Sequence, residues 1–337
     1  MSRYASIDEN RAFSENVVGE VRAAINEQKF DHVLTVAIAG SFGRLEACEA
    51  SDADVIIVLN DESLDGVAAG DLEDVRAQSE AAVIEGVRDA FEAHGIAPPN
   101  PKGVFAQSRS LNDLLPPEDE GGLGTPSEAT DVMGKRLLLL LESRYLWNEV
   151  GYERTIGDIF ERYSAYVVAD QTKEHLYLLN DLIRYFRYIC VNYQSTFGNE
   201  KDKWAIRNLK LRHSRLVMYA GTLTLLGHAS QFRDGRKVSE VREGLALTPL
   251  DRLRVAYDGS EDYSFYKISG LYNSFLMQLS DPSLRTDLNA LDYDQRYQHQ
   301  VFATLKANSD AFQSELANFI YRRRGQWSDR FFEYLLL

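Results

Sequence analysis

Two aspartates one residue apart, Asp52 and Asp54, stand in the segment VAIAGSFGRLEACEASDADVIIVLN, which runs from Val36 to Asn60. Carboxylates are hard oxygen donors, and two on one face suit magnesium or manganese, with water and phosphate oxygens completing the coordination. The face is set by the element that carries them. ADVIIVLN reads as a strand whose alternate side chains point the same way, so Asp52 and Asp54 are expected to share a side. The preceding VLTVAIAG reads as a buried strand. GSFGR then turns the chain so that a helix starts near Ser41 with its first backbone N–H groups unsatisfied. Gly40 and Gly43 permit close backbone approach there, which suits the terminal phosphates of a nucleotide.

Gly40 and Ser41, then Asp52 and Asp54 at the start of a strand, with Arg44 and Ser51 between them, resemble the signature of the nucleotidyltransferase superfamily that shares its fold with DNA polymerase beta. The resemblance implies transfer of a nucleoside monophosphate from a nucleoside triphosphate, such as ATP, to an acceptor hydroxyl, with release of pyrophosphate. The acceptor would be a small molecule, a nucleotide, a protein or RNA. Asp52 and Asp54 would be the catalytic residues and the ligands of Mg2+ or Mn2+, while Gly40 and Ser41 would hold the β- and γ-phosphates. Arg44 either reaches a phosphate or braces Glu46 or Glu49.

Many members of that superfamily carry a third carboxylate on the strand after the following helix. Here GVFAQSRSL at 103–111 offers Gln107 and no acid. Three arrangements remain: Asp131 or Glu142 takes the place, two aspartates suffice, or the domain binds nucleotide without turnover as a sensing or antitoxin-like module. SRSLNDLL and the later DVMGKRLLLLLESRYLW are similar to the corresponding region of the bacterial enzyme that uridylylates nitrogen-regulatory proteins.

Charge narrows the partners. Residues 1–100 hold 20 acidic and 7 basic residues, whereas 101–337 hold 31 and 30. An acidic catalytic half repels nucleic acid, which disfavours duplex nucleic acid and a template-using polymerase. No run of about 18 apolar residues exists, so no membrane span is expected. The start MSRYASIDENRAF lacks the basic-then-apolar order of a secretory signal. Cys48 and Cys190 are too few for a disulfide framework or a zinc site, and a reducing, cytoplasmic setting follows.

The elements that must position the site are legible from apolar spacing. Residues 8–29 and 71–94 read as amphipathic helices, the second with Val83, Val87 and Phe91 on its apolar side and Gly95 as its stop. GVFAQSRSL supplies a third strand, and 116–130 is a turn-rich loop. Beyond it, 131–147, 174–197 and 201–226 have helical spacing. The expected fold is α+β: a small mixed-sheet nucleotidyltransferase domain over 1–125, then an all-helical C-terminal domain over 126–337.

Two helical stretches carry further chemistry. Arg184 and Arg187 share one face of HLYLLNDLIRYFRYICVNY, with Phe186 and tyrosines interleaved. In KDKWAIRNLKLRHSR, Lys203, Arg207 and Lys210 recur at four and three. These are candidate nucleotide-binding residues, a phosphate clamp that would also stabilise departing pyrophosphate. Arg207-Asn208 followed by His213 also resembles the Arg-polar-x-x-x-x-His element of HEPN ribonucleases, which would make His213 a general base. The run Arg322, Arg323 and Arg324 reads as a helix-terminus charge effect or a subunit contact.

Overall fold

VLTVAIA at Val33–Ala39 is buried at every position, as a β-branched and apolar run must be when both faces of its strand are covered. It forms β1 of a four-stranded mixed sheet with order β3-β2-β1-β4, joined by β2 (Asp54–Leu59), β3 (Arg109–Ser110) and β4 (Arg144–Trp147). The computed structural model describes residues 4–99, 107–115, 130–199 and 204–336. Its contacts divide the chain into two compact units, Asn10–Ala165 and Met1–Glu9 with Tyr166–Leu337.

In the first unit the helices in chain order are α1 (Ala5–Ile25, whose first residues belong to the second unit), α2 (Gly40–Gly43), α3 (Asp61–Leu64), α4 (Leu72–Glu92), α5 (Leu111–Leu114), α6 (Thr130–Glu142) and α7 (Glu149–Ala169, which runs on past the unit's end). β1 pairs antiparallel with β2, so that Ala39 lies opposite Asp54, and antiparallel with β4 on its other edge. β3 runs parallel to β2. Val17, Val21 and Ile25 of α1 and Val83, Val87 and Phe91 of α4 pack with Val36, Ile38, Val55, Ile57 and Leu59 of the sheet. Each such side chain, fully buried, stabilises the fold by about 1.5–3 kcal/mol. The alternate residues Ala37, Ile56 and Val58 are equally buried, and α6 packs against β1. Gly95, at φ +70, ends the turn after α4, with Gly95 N–H donating to Glu92 O and Ile96 N–H to Phe91 O.

One expectation is corrected here. The helix anticipated over 131–147 stops at Glu142, and Arg144–Trp147 is β4. The segment from 126 onward is therefore not all helical, since β4 belongs to the sheet. Ser143 Oγ donates back to Leu139 O at the break, and Asn148 at φ 53 closes the strand. Tyr145 and Trp147 favour extended backbone, and β1 offers the segment an open edge.

The second unit is helical: α8 (Leu176–Asn199), α9 (Trp204–Lys210), α10 (Leu216–Ala229), α11 (Arg236–Leu245), α12 (Pro249–Asp258), α13 (Phe265–Leu279), α14 (Pro282–Ala290), α15 (Gln300–Arg322) and α16 (Asp329–Leu336). A π-helical turn, Leu211–Arg215, joins α9 to α10. α10 is apolar all round and buried from Ala220 to Ala229, which marks it as the central helix of this unit. It passes so close to α12 that a Cβ on Gly221 would overlap the Pro249 carbonyl oxygen. Arg322 and Arg323 both donate to Asp262, at 2.9 and 3.2 Å, so this part of the basic run closes an ion-pair cluster within the unit. No helix among the described residues is long and apolar enough to cross a membrane.

Candidate functional site

The turn after β1 and the start of β2 lie side by side because the antiparallel register sets Ala39 against Asp54. Gly40 follows at φ +66, a backbone conformation open to glycine and strained for other residues. Its Cα faces the Asp54 carboxyl group: an added Cβ would overlap Oδ2 and come within 3.3 Å of Cγ. Ser41, half-buried, is the second residue of the single turn of α2, while Phe42 behind it is fully buried against Phe13 and Phe91. The apolar ring thus anchors the turn that carries Ser41.

Asp52 is not within the strand proper. It makes an isolated parallel bridge with Ala97, and β2 begins at Asp54. Ala53 between them is buried in the sheet core, Asp52 is exposed and Asp54 is half-buried. With Ala53 directed inward, the flanking aspartates alternate away from the core, as the pleat requires.

Arg44 is buried, and its guanidinium is engaged. Nε donates to Glu46 Oε2 at 2.8 Å and Nη1 to Glu142 Oε2 at 2.5 Å; the Arg44 and Glu46 side chains are 6% exposed and Glu142 is 0% exposed. Of the two roles the sequence leaves open for Arg44, the brace to Glu46 is thus present in the structure. Gly43 rests against the main chain of Glu142, whose carbonyl oxygen would overlap an added Cβ, and Arg144 Nε donates to Gly43 O at 3.3 Å. The end of α6 and the start of β4 thereby hold the far side of the turn. Arg144 and Glu142 were not legible as neighbours of Gly43, because their proximity depends on the course of α6.

The candidate third acids, Asp131 and Glu142, stand at opposite ends of α6, about 16 Å apart at 1.5 Å per residue. Asp131 accepts from Arg109 Nη2 at 2.6 Å and lies 3.6 Å from Lys135 Nζ. Burial pushes the Asp131 carboxyl up, but the Arg109 bond and the two cations outweigh it and hold it below the usual carboxylate range. Burial, then Arg109, pushes Lys135 down. Among the described residues no group of three or more His, Cys, Asp or Glu gathers as a metal site. The aspartates that the β1–β2 register brings to the turn are Asp54 and, two residues before it, Asp52. Two carboxylates beside a backbone cradle without a Cβ fit a divalent ion whose other ligands are water and phosphate. An open cavity of about 720 Å³ lies elsewhere in this unit, beside β4, lined by Arg22, Asn26, Tyr145, Trp147 and Glu149 among others. It shares no residue with the turn and offers one acid, Glu149.

The other candidates lie in the helical unit. Lys203 falls outside the described residues, as do 103–106 of the expected third strand and 116–129 of the loop. Arg207 and Lys210 sit on α9, both half-buried. On α8, Arg184 Nη1 donates to Asp181 at 3.0 Å, and Phe186 stacks on Tyr219 at 4.4 Å. His213 is fully buried in the π-helical turn, stacked on Phe275 at 4.1 Å, with Nδ1 2.9 Å from Leu209 O and Nε2 2.9 Å from Asn308 Oδ1. Burial pushes its pKa down, and both nitrogens are occupied within the fold. A general base needs an accessible nitrogen, and this imidazole has a packing role instead.

Comparison of the chain with protein-family models, curated proteins and solved structures finds no match.

Proposed function

We propose that the Asn10–Ala165 unit is a metal-dependent nucleotidyltransferase that moves a nucleoside monophosphate from a triphosphate to an acceptor hydroxyl. The observation that carries this reading is the contact between Gly40 and Asp54: the glycine-serine turn and the second aspartate form one piece of structure, with Asp52 two residues away. These are the residues, Gly40, Ser41, Asp52 and Asp54, whose order and spacing resemble the superfamily signature.

In this reading Asp52 and Asp54 hold Mg2+ or Mn2+. When bound, the metal supplies activation of the attacking oxygen and neutralisation of charge developing on the phosphates. The Ser41 hydroxyl and the backbone N–H groups at the start of α2 orient the β- and γ-phosphates, and Gly40 lets those phosphates approach the main chain. Asp54 is half-buried against Gly40, and Asp52 is exposed.

The test is pyrophosphate release from each of the four ribonucleoside triphosphates with Mg2+ or Mn2+, comparing the wild type with the Asp52→Asn/Asp54→Asn double variant. Release by the wild type and none by the double variant is the expected result. Equal release by both would overturn the assignment. Metal-dependent nucleotide binding that raises thermal stability without any pyrophosphate, across the acceptor classes above, would replace catalysis with sensing.

A further inference from the structure

We infer that Arg44 and Glu142 form a buried brace that positions the Gly40–Ser41 turn, and that neither touches metal or phosphate: Arg44 is a positioning residue and Glu142 is not the third carboxylate of the site. This rests on the transferase reading above and assigns roles to two residues that their types would place in the first rank of phosphate and metal ligands.

The argument begins with burial. A guanidinium that grips a triphosphate must present donors toward solvent in the empty protein. Arg44 is 6% exposed and spends Nε on Glu46 and Nη1 on Glu142. A carboxylate that completes a metal site must likewise reach the ion. Glu142 is 0% exposed, turned to Arg44, and not grouped with Asp52 and Asp54 among the described residues.

The mechanical consequence follows from where these bonds sit. Arg44 N–H donates to Gly40 O, closing the turn at its end. Its side chain then ties that closing residue to the last residue of α6. The Gly43 contact with the Glu142 carbonyl and the Arg144 bond to Gly43 O repeat the link through the main chain. Three separate contacts therefore hold the turn to the junction of α6 and β4. A charge-assisted pair in a water-poor environment is rigid, and breaking it by removing one partner leaves an uncompensated buried charge. Rigidity here matters because a displacement of about 1 Å of groups that orient phosphates costs on the order of a hundredfold in rate.

The experiment is a charge exchange. Arg44→Glu alone places a third carboxylate in the cluster and is expected to raise KM for the triphosphate at least a hundredfold, or to abolish binding by calorimetry. The Arg44→Glu/Glu142→Arg double variant, made in a Glu46→Gln background so that no second acid faces position 44, restores opposite charges across the same contact and is expected to recover nucleotide affinity to within about tenfold of the wild type. If Arg44 held phosphate directly, a carboxylate at position 44 would repel it, and no change at 142 would rescue binding. Failure of rescue in a double variant with wild-type melting behaviour therefore overturns the brace.

Glu142→Gln, which keeps shape and removes charge, supplies the second measurement should the exchange not fold. The brace predicts a raised KM with the Mg2+ concentration for half-maximal nucleotide binding unchanged within about twofold. A rise of tenfold or more in that concentration makes Glu142 a metal ligand and overturns the inference. A wild-type chain that neither binds nor turns over any nucleotide overturns the transferase reading together with the brace, whereas a nucleotide-binding wild type with failed rescue overturns the brace alone.

Discussion

Gly40 and Asp54 are in direct contact across the β1–β2 pair, with the glycine Cα where any side chain would collide with the carboxylate. Gly40→Ala meets two penalties at once, the φ of +66 and the overlap with Asp54 Oδ2. The expected loss is on the order of 1–3 kcal/mol in urea unfolding, and more than that is lost in activity because Asp54 must turn aside. Unfolding midpoints and nucleotide binding measured on the same preparation check both parts.

Asp52 and Asp54 differ in setting, one exposed and one half-buried beside Gly40. Asp52→Asn is expected to shift stability by less than about 0.5 kcal/mol, as exposed substitutions do, while removing turnover. Asp54→Asn is expected to remove turnover as well, and its amide nitrogen would meet the Gly40 backbone where a carboxylate oxygen now sits. Thermal melts beside pyrophosphate assays separate the structural from the chemical effect.

In the helical unit, Lys237 Nζ lies 3.2 Å from Glu174 Oε2 and donates to Lys173 O at 2.7 Å, with the two side chains 2% and 6% exposed. Burial pushes the Glu174 carboxyl up, and the Lys237 charge opposes that shift. Lys237→Met leaves the acid buried without its cation. The expected destabilisation is about 3–5 kcal/mol, read from urea unfolding at neutral pH. Glu174→Gln/Lys237→Met is expected to recover part of it.

His175 sits beside that pair, and burial, then the Lys237 charge, pushes its pKa from 6.5 to about 3. The unfolded chain binds this proton near 6.5 and the folded chain does not. Stability from this group is therefore complete above about 6.5 and falls as pH drops toward 3, at about 1.4 kcal/mol per unit. His213 and His228, also lowered by burial, add to the same acid limb. Unfolding free energies between pH 7 and 4 should slope less steeply in His175→Gln. An unchanged slope would exclude this histidine as a source.

Much of the scaffold was legible because it depends on near neighbours. The apolar alternation and runs of Val33–Ala39 and Asp54–Leu59, the amphipathic spacing of α4 and the stop at Gly95 are local patterns, and each element formed close to its expected limits. RYLW at 144–147 misled because it continues the helical leucine spacing of α6, and only the free edge of β1 makes it a strand. Arg184 reads as part of a basic face, yet it pairs with Asp181 on its own helix, and Arg212 in the π-helical turn pairs with Asp310, 98 residues away.

The sequence alone determined the residue types of the candidate site and their order: a glycine-serine turn, then two aspartates spaced for one side of an extended segment. Spacing along a chain fixes which side chains can share a face, since the pleat is a local property. Tertiary structure decided what those residues meet. The β1–β2 register brought Gly40 onto Asp54, and the course of α6 brought Glu142 to Arg44 across 98 positions of sequence. It thereby turned two residues with the chemistry of ligands into a buried ion pair. Burial and partner choice are set by packing between distant segments, and no local pattern encodes them.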